Sequence, residues 1–364
     1  MLLKKLTCFK TLILAGSIML STSGLAVDAS HLDLNQLKSK YSSWGIDPDN
    51  KLSSINLPEA WKHFSEKKEV VVAVIDTGID YYHSFLKDNL YVPAGKVGPA
   101  NYGVDFSKNR VSNSRPSDDH GHGTHVSGII KSIFPKVKIL ALKYYDRNAS
   151  GKDNLKSTID ALRYAVEQNV DIINYSGGGP KPDTEELEIL KKAEAKGILV
   201  VAAAGNEESN IDLESNAYYP ASYDLKNIIT VTAYDQNLRV LSSSNYGKRA
   251  VDISAPGYQI KSALPSNRSG YLTGTSQATA FVTGVASMIK SQFPDLSSEQ
   301  IIDIINKSAK KEFTLEGKCA TGGRLDATKA QQLASEMTTI KVDDRKVASK
   351  TTTPAPGKII YRVK

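Results

Sequence analysis

Cysteine is almost absent from this sequence: its 364 residues hold only Cys8 and Cys319. A disulfide framework is excluded. Lipid attachment is also disfavoured, because Cys8 sits before the early apolar stretch rather than after it. Beyond that stretch, Thr11 to Leu25, no run of apolar residues reaches the ~20 needed to span a bilayer. A coherent field of one sign is missing too. The net charge is +7, but Lys4, Lys5 and Lys10 supply +3 and the residues from Thr338 onward another +5, leaving the body at −1. A near-neutral body with basic ends is no footprint for nucleic acid. No internal repeat is present.

What is there begins with a secretory signal over 1–29: lysines, the apolar stretch, then small residues that allow cleavage after Ala26 or Ala29. A secreted or periplasmic location is expected, with no membrane attachment once the signal is removed. A short polar extension over 30–54 follows, with a helical turn or two around Leu32, Leu34 and Leu37. The main domain is expected over 55–337 and a basic, extended tail over 338–364, where Thr351 to Gly357 reads as linker.

Within the main domain, strand and helix patterns alternate. Val70 to Ile75 is a continuous apolar, β-branched run, as in a strand covered on both faces. Val137 to Leu142, Val170 to Tyr175, Ile198 to Ala204 and Ile228 to Ala233 repeat the pattern. Leu155 to Val166 has helical spacing, Asp183 caps a second helix, and Ser297 with Gln300 forms a capping box before a third. This alternation predicts an α/β fold with a mostly parallel sheet and helices on both faces. Its working residues should gather at the carboxyl ends of the strands.

Three distant stretches supply a carboxylate, an imidazole and a hydroxyl: Asp76-Thr77-Gly78, His122-Gly123-Thr124-His125 and Gly274-Thr275-Ser276. A hydroxyl is a weak nucleophile at neutral pH unless a base lies within hydrogen-bond reach and a third group orients that base. Each stretch alone is ambiguous. Asp-Thr-Gly also occurs in aspartic proteases, although no second copy is present to form a dyad. Asp118-Asp119-His120-Gly121-His122 could be read as a metal cluster, but no His-Glu-x-x-His pattern accompanies it. Ser276 alone could be an ordinary helix cap. A fourth stretch, Ala202 to Asn206, adds a side-chain amide able to donate to an oxyanion.

Taken together and in this order, the four stretches resemble the subtilisin-type serine proteases, from about Leu57 to about Leu333. The resemblance implies a three-layer subtilisin-like fold and an endopeptidase acting on peptides and proteins, a monomer that needs no cofactor. Asp76 would orient His122, the general base. Ser276 would form the acyl-enzyme and Asn206 would donate to the oxyanion. His125 would be structural, and His120 a loop residue near the cleft. Ser176, Gly177 and Gly178 match the segment that pairs with substrate as an added strand. Ala204 and Gly205 would let the substrate backbone approach closely, and Glu207 would lie at the rim of the pocket for the residue before the scissile bond. Tyr218, where the family often has a small residue, should fill the pocket floor and favour small, polar or basic residues over Phe. Gly177 should leave the adjoining space roomier.

Departures accompany the resemblance. Gln277 follows Ser276 where Met is usual, and Ala280 stands where Pro is usual. Between His125 and Ile139 there is no Asn-rich calcium loop, so no metal is expected there. The segment before the main domain is short for a folding prodomain. The rival reading is a catalytically silent peptide-binding module on the same fold, which labelling of Ser276 by a fluorophosphonate would distinguish.

Overall fold

A computed structural model describes residues 32–93, 102–107 and 115–350, with side chains described only as far as 339. The expected signal over 1–29 and the tail from 351 lie outside the described residues. A 3-10 helix over Leu34–Lys38 precedes α1 (Leu57–Lys62) and β1 (Val71–Asp76). Next come β2 (Gly103–Asp105), α2 (His122–Ile133), β3 (Lys138–Lys143) and α3 (Gly151–Glu167). They are followed by β4 (Ile172–Tyr175), α4 (Thr184–Ala195), β5 (Leu199–Ala203), β6 (Ile228–Tyr234) and β7 (Ile253–Pro256). The hairpin β8 (Ile260–Leu264) and β9 (Arg268–Leu272) leads to α5 (Thr275–Gln292) and α6 (Ser298–Ser308). Two short strands, β10 (Lys310–Lys311) and β11 (Gly323–Arg324), precede α7 (Ala327–Lys350).

Nine strands form one sheet in the order β10-β11-β7-β6-β5-β4-β1-β3-β2. Every pairing is parallel except β10 with β11 at the edge. The apolar runs are explained by burial on both faces. Val72, Val74, Val201 and Ile229 belong to the cluster that includes Val126 and Ile129 of α2 and Phe281 and Val285 of α5. Their neighbours Ala73, Ile75, Ile173 and Val200 join Leu162 of α3 and Leu190 of α4 on the other face. Each such side chain contributes about 1.5–3 kcal/mol by leaving water. The expected three-layer α/β architecture is what is observed.

Two expectations need correction. The 30–54 extension is docked rather than peripheral. Leu37, Tyr41 and Ile46 are buried in the main core, Tyr41 stacks on Phe85 at 4.4 Å, and the Trp44 indole donates to the Tyr258 carbonyl. A few well-spaced apolar residues were enough to anchor a segment that is polar on average. Nor does an extended tail begin at 338, because α7 runs unbroken through Met337 to Lys350. There the Thr338 and Thr339 hydroxyls return to the Ala334 and Ser335 carbonyls, as threonines within a helix do.

Candidate active site

β1 ends at Asp76 and α2 begins at His122, and the two meet at the carboxyl edge of the sheet. The backbone at Gly121 has a φ of +100°, which turns the chain sharply into α2. Gly123 then lies so close to β1 that a Cβ would fall 2.2 Å from the Gly78 carbonyl oxygen. That approach brings His122 Nδ1 to 2.7 Å from Asp76 Oδ1, which also accepts from the Thr77 N–H. Burial works against charging the imidazole. The Asp76 carboxylate outweighs it by charge and hydrogen bond, with help from Asp118, and His122 is raised above its ordinary 6.5.

Asp118 is a residue whose role the sequence did not disclose. One carboxylate oxygen accepts from the Thr77 hydroxyl and the His120 and Gly121 N–H groups. The other accepts from both the N–H and the hydroxyl of Thr124. Asp118 thus clamps the start of α2 to the end of β1, and Asp119 pairs with Lys143. The Asp118 carboxylate that suggested a metal cluster is taken up by these contacts. His125 faces away as expected: its Nε2 donates to the Ile260 carbonyl at 2.9 Å, and burial pushes its pKa down to about 4. The His120 ring lies 6.3 Å from that of His122. In the short α2–β3 turn, the Pro135 and Val137 carbonyls accept from the Asn89 amide.

Ser276 sits in the first turn of α5, 6 % exposed. Its hydroxyl donates to the Ser176 carbonyl at 3.1 Å rather than to His122. Asn206 Oδ1 accepts from the N–H and hydroxyl of Thr275. With its oxygen committed, the exposed Asn206 side chain has its NH₂ free to donate. Beside it, Asn245 donates to the Ala204 carbonyl and the Glu207 carboxylate and accepts from the Glu207 and Ser209 N–H groups. Asn174 bridges Thr283 of α5 to the Ser176 hydroxyl. Neither Asn245 nor Asn174 belongs to a local motif, so nothing in the sequence marks them.

On the recognition side, Gly179 and Tyr219 exchange backbone hydrogen bonds at 2.9 and 2.8 Å, which draws Tyr218 against Gly178. Its ring lies 2.5 Å from where a Cβ on Gly178 would be and 3.0 Å from one on Gly205. Tyr218 is therefore wedged between the Ser176–Gly178 and Ala204–Gly205 segments. Glu207 folds back over Gly205 rather than standing clear at a rim. The space left by Gly177 is not empty, contrary to expectation: the Tyr144 hydroxyl lies 2.8 Å from where its Cβ would be. A neighbouring aromatic side chain has filled the gap, as close packing demands.

A parallel α/β sheet with an acid, an imidazole and a serine gathered at its carboxyl edge defines a serine-dependent hydrolase. The chain belongs to the subtilase family, whose model matches residues 67–335. The major intracellular serine protease of Bacillus subtilis is 36% identical over 246 residues, covering 65% of this chain and 73% of that protein. Subtilisin DY of Bacillus licheniformis is 35% identical over 249 residues, covering 66% and 83%. Thermitase of Thermoactinomyces vulgaris is 34% identical over 288 residues, covering 76% and 94%. A solved protease of Pseudoalteromonas arctica superposes with a TM-score of 0.65 at 25% identity, covering 80% of this chain and 97% of that one. This protein is a subtilisin-like serine protease, and its substrates are peptides or proteins.

Proposed function

We propose that the protein is a secreted endopeptidase in which Ser276 is the nucleophile, His122 the general base and Asp76 the orienting acid. The observation that carries this reading is the 2.7 Å bond from His122 to Asp76 beside a serine at the start of a buried helix. Ser276 Oγ attacks the scissile carbonyl carbon while its proton passes to His122 Nε2. The imidazolium is held by Asp76 through Nδ1–H. The carbonyl oxygen, now negative, is met by the Asn206 NH₂ and the Ser276 N–H at the positive end of α5. His122 returns the proton to the departing amine, and water then releases the acyl group by the same route. The segment Ser176 to Gly178 receives the substrate backbone, and Tyr218 limits the side chain before the scissile bond. Export rests on the signal pattern in residues 1–29.

A fluorophosphonate should label the purified protein stoichiometrically, and Ser276→Ala should abolish labelling and turnover without unfolding. Persistent labelling in Ser276→Ala would move the nucleophile elsewhere. Tyr218→Gly should open the pocket and raise cleavage after Phe relative to Ala. A wild type that already cleaves well after Phe, unchanged in the variant, would remove Tyr218 from the pocket. Protein found only inside cells, with residues 1–29 intact, would overturn export.

A further inference from the structure

Just past Gly178, away from Ser276, lies a cavity of about 720 Å³ walled by Tyr144, Tyr145, Tyr175, Tyr219 and Leu155. Glu186, from the first turn of α4, is part of its lining and only 2 % exposed. A carboxylate so deeply buried is costly unless it is partnered. Glu186 has two partners: the Tyr175 hydroxyl donates to Oε1 at 2.6 Å, and the Tyr223 hydroxyl shares its one proton between Oε2 at 2.8 Å and the Asp183 carbonyl at 3.0 Å. Each carboxylate oxygen can accept twice, so one acceptor site on each is left over. Burial pushes the Glu186 pKa up, against the pull of the two tyrosine hydroxyls. An arriving cation would reverse that burial penalty. The wall also offers aromatic rings, whose faces attract cations. Lys152 and Lys181, at the mouth, are exposed and can keep their charges in water.

Position matters as much as chemistry. Gly178 and Gly179 are two and three residues beyond Ser176, whose carbonyl accepts from the Ser276 hydroxyl. At a strand rise of about 3.3 Å per residue, a substrate along this edge reaches the cavity some two to four residues from the scissile bond. The Tyr218 ring meanwhile packs between Gly178 and Gly205, which on the catalytic reading narrows the slot next to that bond and leaves room for further selection along the substrate. We propose that this cavity receives a lysine or arginine side chain of the substrate and that Glu186 is the specificity-determining residue. The proposal rests on the catalytic reading given above, and the test keeps the two apart.

Peptides that are identical except at positions two to four on either side of the bond would carry Arg, citrulline, Lys, norleucine, Phe or Glu. In wild type, kcat/KM for Arg over citrulline, or Lys over norleucine, should be at least about tenfold at one position, the scale of one charge-assisted hydrogen bond. In Glu186→Gln that ratio should collapse towards one, with fluorophosphonate labelling serving as the check on folding. If Glu186→Gln does not fold, Leu155→Lys, which brings a like charge to the wall, should collapse the same ratio. A wild-type preference for Phe or Glu at those positions would overturn the proposal. So would a basic preference that survives in Glu186→Gln or Leu155→Lys. Labelling with no basic preference defeats this proposal alone, whereas a wild type that neither labels nor cleaves defeats the catalytic reading with it.

Discussion

The two helices that carry the candidate chemistry, α2 and α5, are capped differently from α3, α4 and α6. α3, α4 and α6 each begin with a side chain from their own cap residue: Ser150, Asp183 and Ser297 accept from nearby N–H groups. α2 and α5 begin at Gly121 and Gly274, which have no side chain to offer. Their first N–H groups are met from elsewhere: Thr77, distant in the chain, serves α2 together with the nearby Asp118, and Asn206, also distant, serves α5. The glycines let each helix start close against the sheet, and the long-range caps tie its first turn to the residues it must work with. A locally capped helix needs only its own sequence to begin; these two are positioned by their partners.

Breaking the long-range cap of α5 should have the largest effect. Asn206→Leu removes the acceptor for Thr275 and the free NH₂ together. Turnover should fall by about 10²–10³ with KM little changed, the scale known for the equivalent donor of a subtilisin. Full turnover in the variant would mean that Asn206 only caps. Next comes the clamp on the start of α2. Asp118→Asn halves the acceptor capacity of a buried group that holds five donors. Stability should drop by about 3 kcal/mol, with a fall in kcat as His122 loses its seat. Chemical denaturation and steady-state kinetics would check both, and a loss of stability with normal kcat would separate Asp118 from the site.

The pH dependence tests what the clamp does to His122. The base must be neutral to act, and its pKa is raised above 6.5, chiefly by Asp76 working against burial. The acid limb of kcat/KM should therefore inflect above 6.5, and Asp76→Asn should shift whatever activity remains to a lower inflection. A raised imidazole also stabilises the fold in its protonated form. That contribution is complete below the unfolded-state pKa and fades as pH rises through the folded one. An inflection at or below 6.5 in wild type would contradict the assignment. The smallest effect belongs to a local cap. Ser297→Ala should cost about 1 kcal/mol in thermal or urea unfolding and leave kcat untouched, because α6 is remote from the site. A changed kcat would blur the distinction between the two kinds of helix.

The sequence by itself determined the parallel sheet, because strands buried on both faces must be apolar throughout: Val70 to Ile75 and Ile198 to Ala204 could hardly be anything else. It also determined the local caps, since Asp183 and Ser297 act within a few residues of themselves. The candidate triad was legible because each member sits in a short motif. Tertiary structure alone decided how those motifs are held. Asp118 reaches Thr77, Asn174 reaches Thr283 and Asn245 reaches Ala204, contacts across the chain that only folding reveals. The same holds for space. Gly177 looked like a vacancy until Tyr144 was found in it, and Tyr218 could have pointed anywhere until Tyr219 paired with Gly179. Volume at a site belongs to every chain segment that reaches it, so no single stretch of sequence encodes it.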